Sequence, residues 1–284
     1  MPLVKKYLKA ATLAFLILAN LFIWNIAWSS SNSKLLVYFL NVDQGDAILI
    51  KAPSGNKMLI DGGPGSIVLE ELSKALAFYD RKIEVILATH PDADHIGGLP
   101  GVLERYEVDF IIEPGVSADT RIFESFEKSL GNSKAQKLLA RRGMKVDLGG
   151  GAVLVVLFPD RELSKVDPND ASIVAKLFFG ETDFMFTGDA PLKIEQYLVS
   201  LDGENLKSDV LKTGHHGSQT STSEIFVNQV APEYVVLSAG KDNKYGHPHS
   251  EVLEILRKSQ ARILGTYELG TILIKSDGEK VYLK

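Results

Sequence analysis

Cysteine is absent from the 284 residues. That excludes a disulfide framework, a thiolate metal site and a cysteine nucleophile. Excess positive charge is absent too: 31 Lys and Arg face 36 Asp and Glu, for a formal net charge of −5. A broad basic face for gripping nucleic acid is therefore excluded, and any phosphate-bearing substrate needs local positive charge from a few side chains or from metal. No fixed-period repeat is visible. Histidine is scarce, with six in all. What is plentiful is ordinary core material, 45% hydrophobic against 24% charged residues, enough for one large domain or two small ones.

The first 33 residues differ from the rest. Lys5, Lys6 and Lys9 precede an apolar run from Ala10 to Trp28, which as a helix rising about 1.5 Å per residue reaches about 28 Å, close to the hydrocarbon thickness of a bilayer. Trp24 and Trp28 suit the far interface, and no Lys or Arg recurs until Lys34. The positive-inside rule puts the start in the cytoplasm and the remainder outside it. The run exceeds a usual signal-peptide core and "IAWSS" is a poor cleavage site, so a retained single-pass anchor is expected, with a cleaved, secreted form as the alternative. Ser29 to Ser33 reads as a polar linker, which divides the chain into 1–33 and a globular part, 34–284.

Strands and helices alternate after the linker. "KLLVYFLNVD", "DAILIKAP" and "NKMLIDGG" are short β-rich runs split by turn residues. "SIVLEELSKALAFYD" has helical spacing, "KIEVILATH" is a buried strand, and "RIFESFEKSLGNSKAQKLLARRG" predicts one long helix or two, closed by Gly143. The second half repeats the style, which predicts an α/β fold of two packed sheets with helices outside.

All six histidines fall in three clusters, His90 with His95, His215 with His216, and His247 with His249. Each follows an apolar strand-like run and sits among Gly, Pro, Ser or Asp, where loops leave strand ends. In "ATHPDADHIGG", His90, Asp92, Asp94 and His95 offer imidazole nitrogen and carboxylate oxygen, a mixture that suits Zn²⁺ or Mn²⁺. Four ligands on so short a loop suit two ions about 3.5–4 Å apart better than one. Further ligands then come from elsewhere: Asp189 in "FTGDA", and His215 or His216 in "LKTGHHGS".

"NVDQGDAILI", "MLIDGG", "THPDADHIGG", "NDASIV", "FTGDA", "LKTGHHGSQTSTS" and "YGHPH" stand in this order over about residues 35–250. With these motifs the chain resembles the metallo-β-lactamase superfamily, in particular the extracellular hydrolase domain of the ComEC competence proteins. The resemblance implies a four-layer αββα sandwich, here preceded by one transmembrane helix, with a dinuclear site at one edge. It makes His90, Asp92, Asp94 and His95 ligands, Asp189 the bridge, and His215 the preferred member of its pair, with His216 as the fallback or a residue touching substrate. Asp61 is implied as a support rather than a ligand. The wider superfamily has histidine where Asp92 stands and another in mid-chain. Here none occurs between 95 and 215, and Asn169, Asp170 or Ser172 is the candidate for that place. One metal position is then more oxygen-rich, which moves the expectation from obligate Zn²⁺ toward Mn²⁺ or mixed occupancy. The usual "DVGQGDA" reads "NVDQGDA", with Asn41 and Asp43 altered. The many-span channel of the competence proteins is not among these residues, so a role in threading DNA is not carried over.

The expected activity is that of a phosphodiesterase, acting on DNA, single-stranded DNA foremost, with two divalent ions activating water. Asp94 and Asp189 would orient that water. Lys212, His216, Ser218 and Thr220 are candidate donors to phosphate oxygens, and Asn243 or His247 a candidate contact to the leaving oxygen. Ser221 or Thr222 serves equally as a helix cap before "EIFVNQV". Tyr245 stacks on a base or simply packs, and His249 reads as a cap-region residue. The alternatives are hydrolysis of another ester, such as a wall-polymer phosphodiester or a lactone, and a metal-binding module without turnover.

Overall fold

The computed structural model describes residues 2–31, 34–163 and 165–284, and within the N-terminal helix the side chains at 7, 9 and 11–24. That helix, α1, runs Pro2–Ser31, so it takes in part of the stretch expected as linker. The side chains of Lys5, Lys6 and Trp28, and residues 32–33, lie outside the described residues. Leu13, Phe15, Phe22 and Trp24 are exposed on it. Among the described residues no helix is long and apolar enough to cross a membrane.

From Leu35 onward, alternating apolar residues build two sheets. The first holds eight strands. Its elements are β1 (Leu35–Phe39), β2 (Ile48–Lys51), β3 (Lys57–Ile60), β4 (Lys82–Leu87), β5 (Glu107–Glu113) and β6 (Gln136–Leu139), with β14 (Ile272–Ser276) and β15 (Val281–Leu283) closing the far edge in the order β15-β14-β1-β2-β3-β4-β5-β6. β1, β2 and β3 are an antiparallel meander, whereas β3 to β6 run parallel. The second sheet is ordered β13-β12-β11-β10-β9-β8-β7. It comprises β7 (Lys145–Gly149), β8 (Ala152–Phe158), β9 (Val174–Phe179), β10 (Thr182–Phe186), β11 (Val210–Lys212), β12 (Tyr234–Leu237) and β13 (Arg262–Gly265).

Between the sheets, inward residues such as Val37, Phe39, Ile50, Leu154, Leu177 and Phe184 form one apolar layer. Helices cover both outer faces. On the first sheet α2 (Ile67–Ala75), α3 (Ala93–Ile96), α4 (Leu99–Arg105) and α5 (Arg121–Asn132) bury Val68, Leu72, Leu99, Val102 and Phe126 against Leu49, Leu59 and Ile86. On the second, α6 (Leu192–Asp202), α7 (Glu224–Val230) and α8 (Ser250–Lys258) bury Leu198, Phe226, Val227 and Leu256 against Met185, Leu211 and Val235, and the short α9 (Thr266–Leu269) follows β13. The result is the mixed α/β architecture of two sheets between helix layers that the alternating pattern predicts.

One expectation is corrected. Residues 121–143 are not wholly helical: α5 stops at Asn132 and β6 follows. Ser133 ends the helix in an extended conformation, and "QKLL" pairs with Phe110–Glu113 as an edge strand. Helical propensity in "KAQKLLARR" yields to the free edge of β5, whose backbone groups need partners.

Candidate metal centre

The functional loops share one end of the sandwich because β1, β3 and β4 point the same way and β10, β11 and β12 are parallel. Asp46 follows β1, Asp61 follows β3, residues 89–95 follow β4, Asp189 follows β10 and the histidine pair follows β11. Two glycines permit the close approach. A Cβ on Gly45 would lie 2.2 Å from the Asp94 carbonyl oxygen, and one on Gly98 would lie 2.1 Å from that of Gly62. Only a residue without a side chain lets these backbones meet.

Asp189 is the hub. Its Oδ1 lies 3.3 Å from His95 Nε2, and its Oδ2 lies 3.6 Å from both His215 Nε2 and His216 Nε2 and 3.9 Å from His90 Nε2. On one side His216 Nε2 is 3.3 Å from Asp94 Oδ2, and on the other His90 Nε2 is 3.6 Å from Asp92 Oδ2. The ligand-type residues of the opening motif and of both later loops thus meet at one carboxylate.

Each ring is fixed through its other nitrogen. His95 Nδ1 donates to Asp61 Oδ2 at 2.8 Å. Thr89 gives its hydroxyl proton to the same oxygen at 2.7 Å, so it accepts from His90 Nδ1 at 3.0 Å. His216 Nδ1 donates to the Ser238 carbonyl at 3.0 Å, and His215 Nδ1 lies 3.0 Å from Thr220 Oγ1. Such outer contacts select the tautomer and aim Nε2 inward. Asp189 itself donates its backbone N–H to Ser172 Oγ at 3.1 Å. The Nε2 atoms of His90, His95 and His216 and Oδ1 of Asp189 are buried with no hydrogen-bond partner. Orphaned buried donors and acceptors of this kind are costly. Divalent cations would satisfy them, so the donor set fits metal.

Without a cation, charge is balanced by protons. Burial works to lower His216, but Asp189 and Asp46 more than offset it and raise it to about 9. Burial likewise opposes, and Asp189 and Asp61 override, for His95, which is raised. Asp94 and Asp189 would be raised by burial, yet the surrounding imidazoles hold both low, Asp94 at about 2. Burial lowers His215; burial and the neighbouring His215, His216 and His249 lower His247 to about 4.

The remaining expected residues fall as follows. Lys212 is buried and paired with Asp46 at 2.7 Å, with a further bond to the Thr213 carbonyl. Ser218 and Thr220 are within 3.0 Å of each other beside His215. Asp170 is drawn to Lys193, the Asn169 side-chain oxygen is buried and unpartnered, and Ser172 supports Asp189. Asn243 is spent on its own loop: its amide donates to the Gly240 and His247 carbonyls, and its oxygen accepts from the N–H groups of Tyr245 and His247. Tyr245 is exposed and stacked on His247, 5.7 Å between ring centres. It lines an open cleft of about 630 Å³ that also contains Asp43, Asp94, Asp242, Lys241 and Lys244. His249 is the N-cap residue of α8, and its Nδ1 accepts from the Gln219 N–H. The cap of α7 is Ser223, not Ser221 or Thr222; Ser221 instead bonds the Ala190 carbonyl.

Asp46 is the residue that reading for histidines misses. With His95, Asp189 and His216 it forms a buried group whose ligand-type atoms lie within 4.8 Å of one another. Its Oδ2 is committed to Lys212, however, and its Oδ1 sits on the Nδ1 side of His216 at 3.4 Å, away from the inward-facing Nε2. Asp46 therefore braces His216 rather than competing for a cation. The tripeptide Gly-Asp-Ala recurs at 45–47, in the loop from β1 to β2, and at 188–190, after β10. That repetition is the signal that points to Asp46.

The model of the metallo-beta-lactamase superfamily matches residues 40–241. The ComE operon protein 3 of Bacillus subtilis is 29% identical over 262 residues, covering 83% of this chain and 32% of that protein. Recombination protein 2 of Haemophilus influenzae is 30% identical over 239 residues, covering 83% of this chain and 28% of that protein. The chain thus spans about a third of the length of the curated relatives it matches, and the resemblance to the competence proteins holds. Among solved structures, the metallo-beta-lactamase fold protein YhfI of Bacillus subtilis superposes with a TM-score of 0.58 at 13% identity, covering 86% of this chain and 100% of that one. That likeness concerns the fold.

Proposed function

The chain belongs to the metallo-beta-lactamase superfamily, and from that premise we propose that it is a metal-dependent phosphodiesterase, acting on single-stranded DNA, held outside the cytoplasm by α1. The observation that carries the proposal is the ring of buried, unpartnered nitrogens and oxygens around Asp189. Asp94, His95, His216 and Asp189 would hold one divalent ion, and His90, Asp92, His215 and Asp189 a second, with Zn²⁺ or Mn²⁺ as the occupants such nitrogen and oxygen donors suit. Bound there, the ions supply Lewis acidity toward a phosphoryl oxygen and lower the pKa of water toward neutrality.

The chain's own groups do the rest. Asp94 stays ionised and partly accessible, placed to accept a proton from an attacking water. His215 is more exposed than its neighbour and lowered by burial, which leaves its Nε2 free of a proton and suited to a cation. His247, neutral, offers a hydrogen-bonding ring without charge. Lys241 and Lys244 line the cleft beside Asp43, Asp94 and Asp242, so its side chains carry no net positive charge and the ions would supply what phosphate needs, while Tyr245 gives a face on which a base can stack. Competence proteins among the relatives support DNA as the substrate class. The apolar run to Trp28 and the lysines before it support the anchor, cytoplasmic at its start.

The test is a digestion time course on single-stranded DNA with added Mn²⁺ or Zn²⁺, beside measurement of bound metal. Release of nucleotides that needs metal and is lost in Asp94→Ala is expected. Turnover of bis-p-nitrophenyl phosphate with no shortening of DNA replaces the nuclease with another esterase, and metal binding with no turnover of either replaces it with a binding module.

A further inference from the structure

We propose that the loop between α2 and β4 is a second membrane contact, which seats Phe78 and Tyr79 among lipid headgroups at the end of the sandwich opposite the metal centre. This rests on the reading of α1 as an anchor. Phe78 is 86% exposed and Tyr79 75%, and outside α1 they are the most exposed large apolar side chains among the described residues. Their rings touch edge to face, 5.2 Å between centres. The loop beneath them is held firmly. Leu76 is buried, Asp80 donates its N–H to the Ala77 carbonyl, and the Asp80 carboxylate pairs with Lys57 at 3.2 Å. A well-held turn that presents two aromatic rings to solvent has the form of an interfacial wedge: one ring is wholly apolar, the other carries a hydroxyl, and Arg81 stands exposed beside them.

Topology says what faces the wedge. β1 and β3 are each antiparallel to β2, and β4 is parallel to β3, so β1 and β4 begin at the same end. The loop leads into Lys82, the first residue of β4, and Leu35 is the first residue of β1. Lys51, paired with Leu36, donates to the Ala75 carbonyl at the last turn of α2 and ties the two starts together. α1 ends at Ser31, four residues before Leu35, and four residues of extended chain span at most about 14 Å. β4 stands three strands from β1, about 14 Å across the sheet at 4.8 Å per strand. A bilayer entered by α1 therefore lies within reach of the aromatic pair, while the loops bearing Asp46 and His90 stand at the far end of the same strands.

The absence of cysteine makes the test direct. Phe78→Cys and, as a control at the metal-centre end, Ile225→Cys are labelled with an environment-sensitive nitrobenzoxadiazole dye in the full chain. Both are then reconstituted into vesicles of phosphatidylcholine and phosphatidylglycerol. The expected result is that both proteins float with the vesicles, and that only the label at 78 shifts to the blue, loses quenching by aqueous iodide and gains quenching by spin-labelled lipid. Flotation with equal iodide quenching at both positions overturns the contact and leaves the anchor standing. Failure to float overturns the anchor and the contact with it.

Discussion

Replacing Asp61 by Asn acts first on the tautomer of His95 and, through the Thr89 hydroxyl that shares Oδ2, also reaches the bond that orients His90. Asp61 is fully buried, and its φ of 57° is one that asparagine adopts readily. Its Oδ1 accepts from the Thr89 N–H at 2.7 Å, which keeps the carbonyl of the new amide on that side, so the NH₂ group falls where Oδ2 was. There it meets His95 Nδ1, 2.8 Å away, donor against donor. The ring then relieves the clash by moving its proton to Nε2, the atom turned toward Asp189. A protonated Nε2 has no lone pair for a cation. Metal affinity should fall about 10- to 100-fold, or about 1.4–2.7 kcal/mol. The charge-assisted bonds that His95 and the Thr89 hydroxyl make to Oδ2 both give way to neutral ones, at a cost of about 2 kcal/mol of stability, or a melting temperature lower by about 4–8 °C for a chain of this size. Calorimetric metal titration gives the first quantity, a thermal melt of metal-free protein the second, and ¹⁵N chemical shifts of His95 the tautomer. Unchanged metal affinity, with Nε2 of His95 still unprotonated, would show that Asp61 does not set this tautomer.

Metal affinity should also climb with pH. His216, raised to about 9 in the metal-free protein, must lose a proton to bind. By the same shift, stability of the metal-free protein should be fullest below the ordinary histidine range near 6.5 and decline as pH rises toward 9, since the folded state holds the extra proton; melts in metal-free buffer between pH 6 and 9.5 check the sign. Lys212→Met should cost about 3–5 kcal/mol, because it strands a buried Asp46 carboxylate. The double variant with Asp46→Leu should recover a large part of that, as read from denaturant midpoints. Gly45→Ala places a Cβ 2.2 Å from the Asp94 carbonyl oxygen at a φ of +137°, so the backbones must part. A loss of about 2–4 kcal/mol is expected, together with weakened metal binding.

The positions of the histidines in sequence were legible because metal-type residues concentrate where apolar runs end, and parallel strands bring those ends together. The two-sheet architecture was legible for the same reason: alternation and turn residues are local signals. What stayed hidden was pairwise. Asp46 and Lys212 are 166 positions apart, and neither residue alone announces a buried ion pair. Asn243 carries the chemistry of a substrate contact, yet its four bonds close its own loop. β6 reads as helix by composition and became a strand because a neighbour's edge was free. In each case a partner distant in sequence, or the backbone geometry of a loop, overrode the local pattern.

His215 and His216 sit in succession at φ 47° and 55°, a left-handed pair that glycine would occupy with far less strain. The tight kink is what turns two adjacent imidazoles toward one carboxylate, so the molecule tolerates a sprung turn to gain a coordination site. Swapping His215 for glycine should make the protein tougher and idle at once, by about 1 kcal/mol on the first count. Selection for thermal endurance alone would thus be expected to erase this turn first.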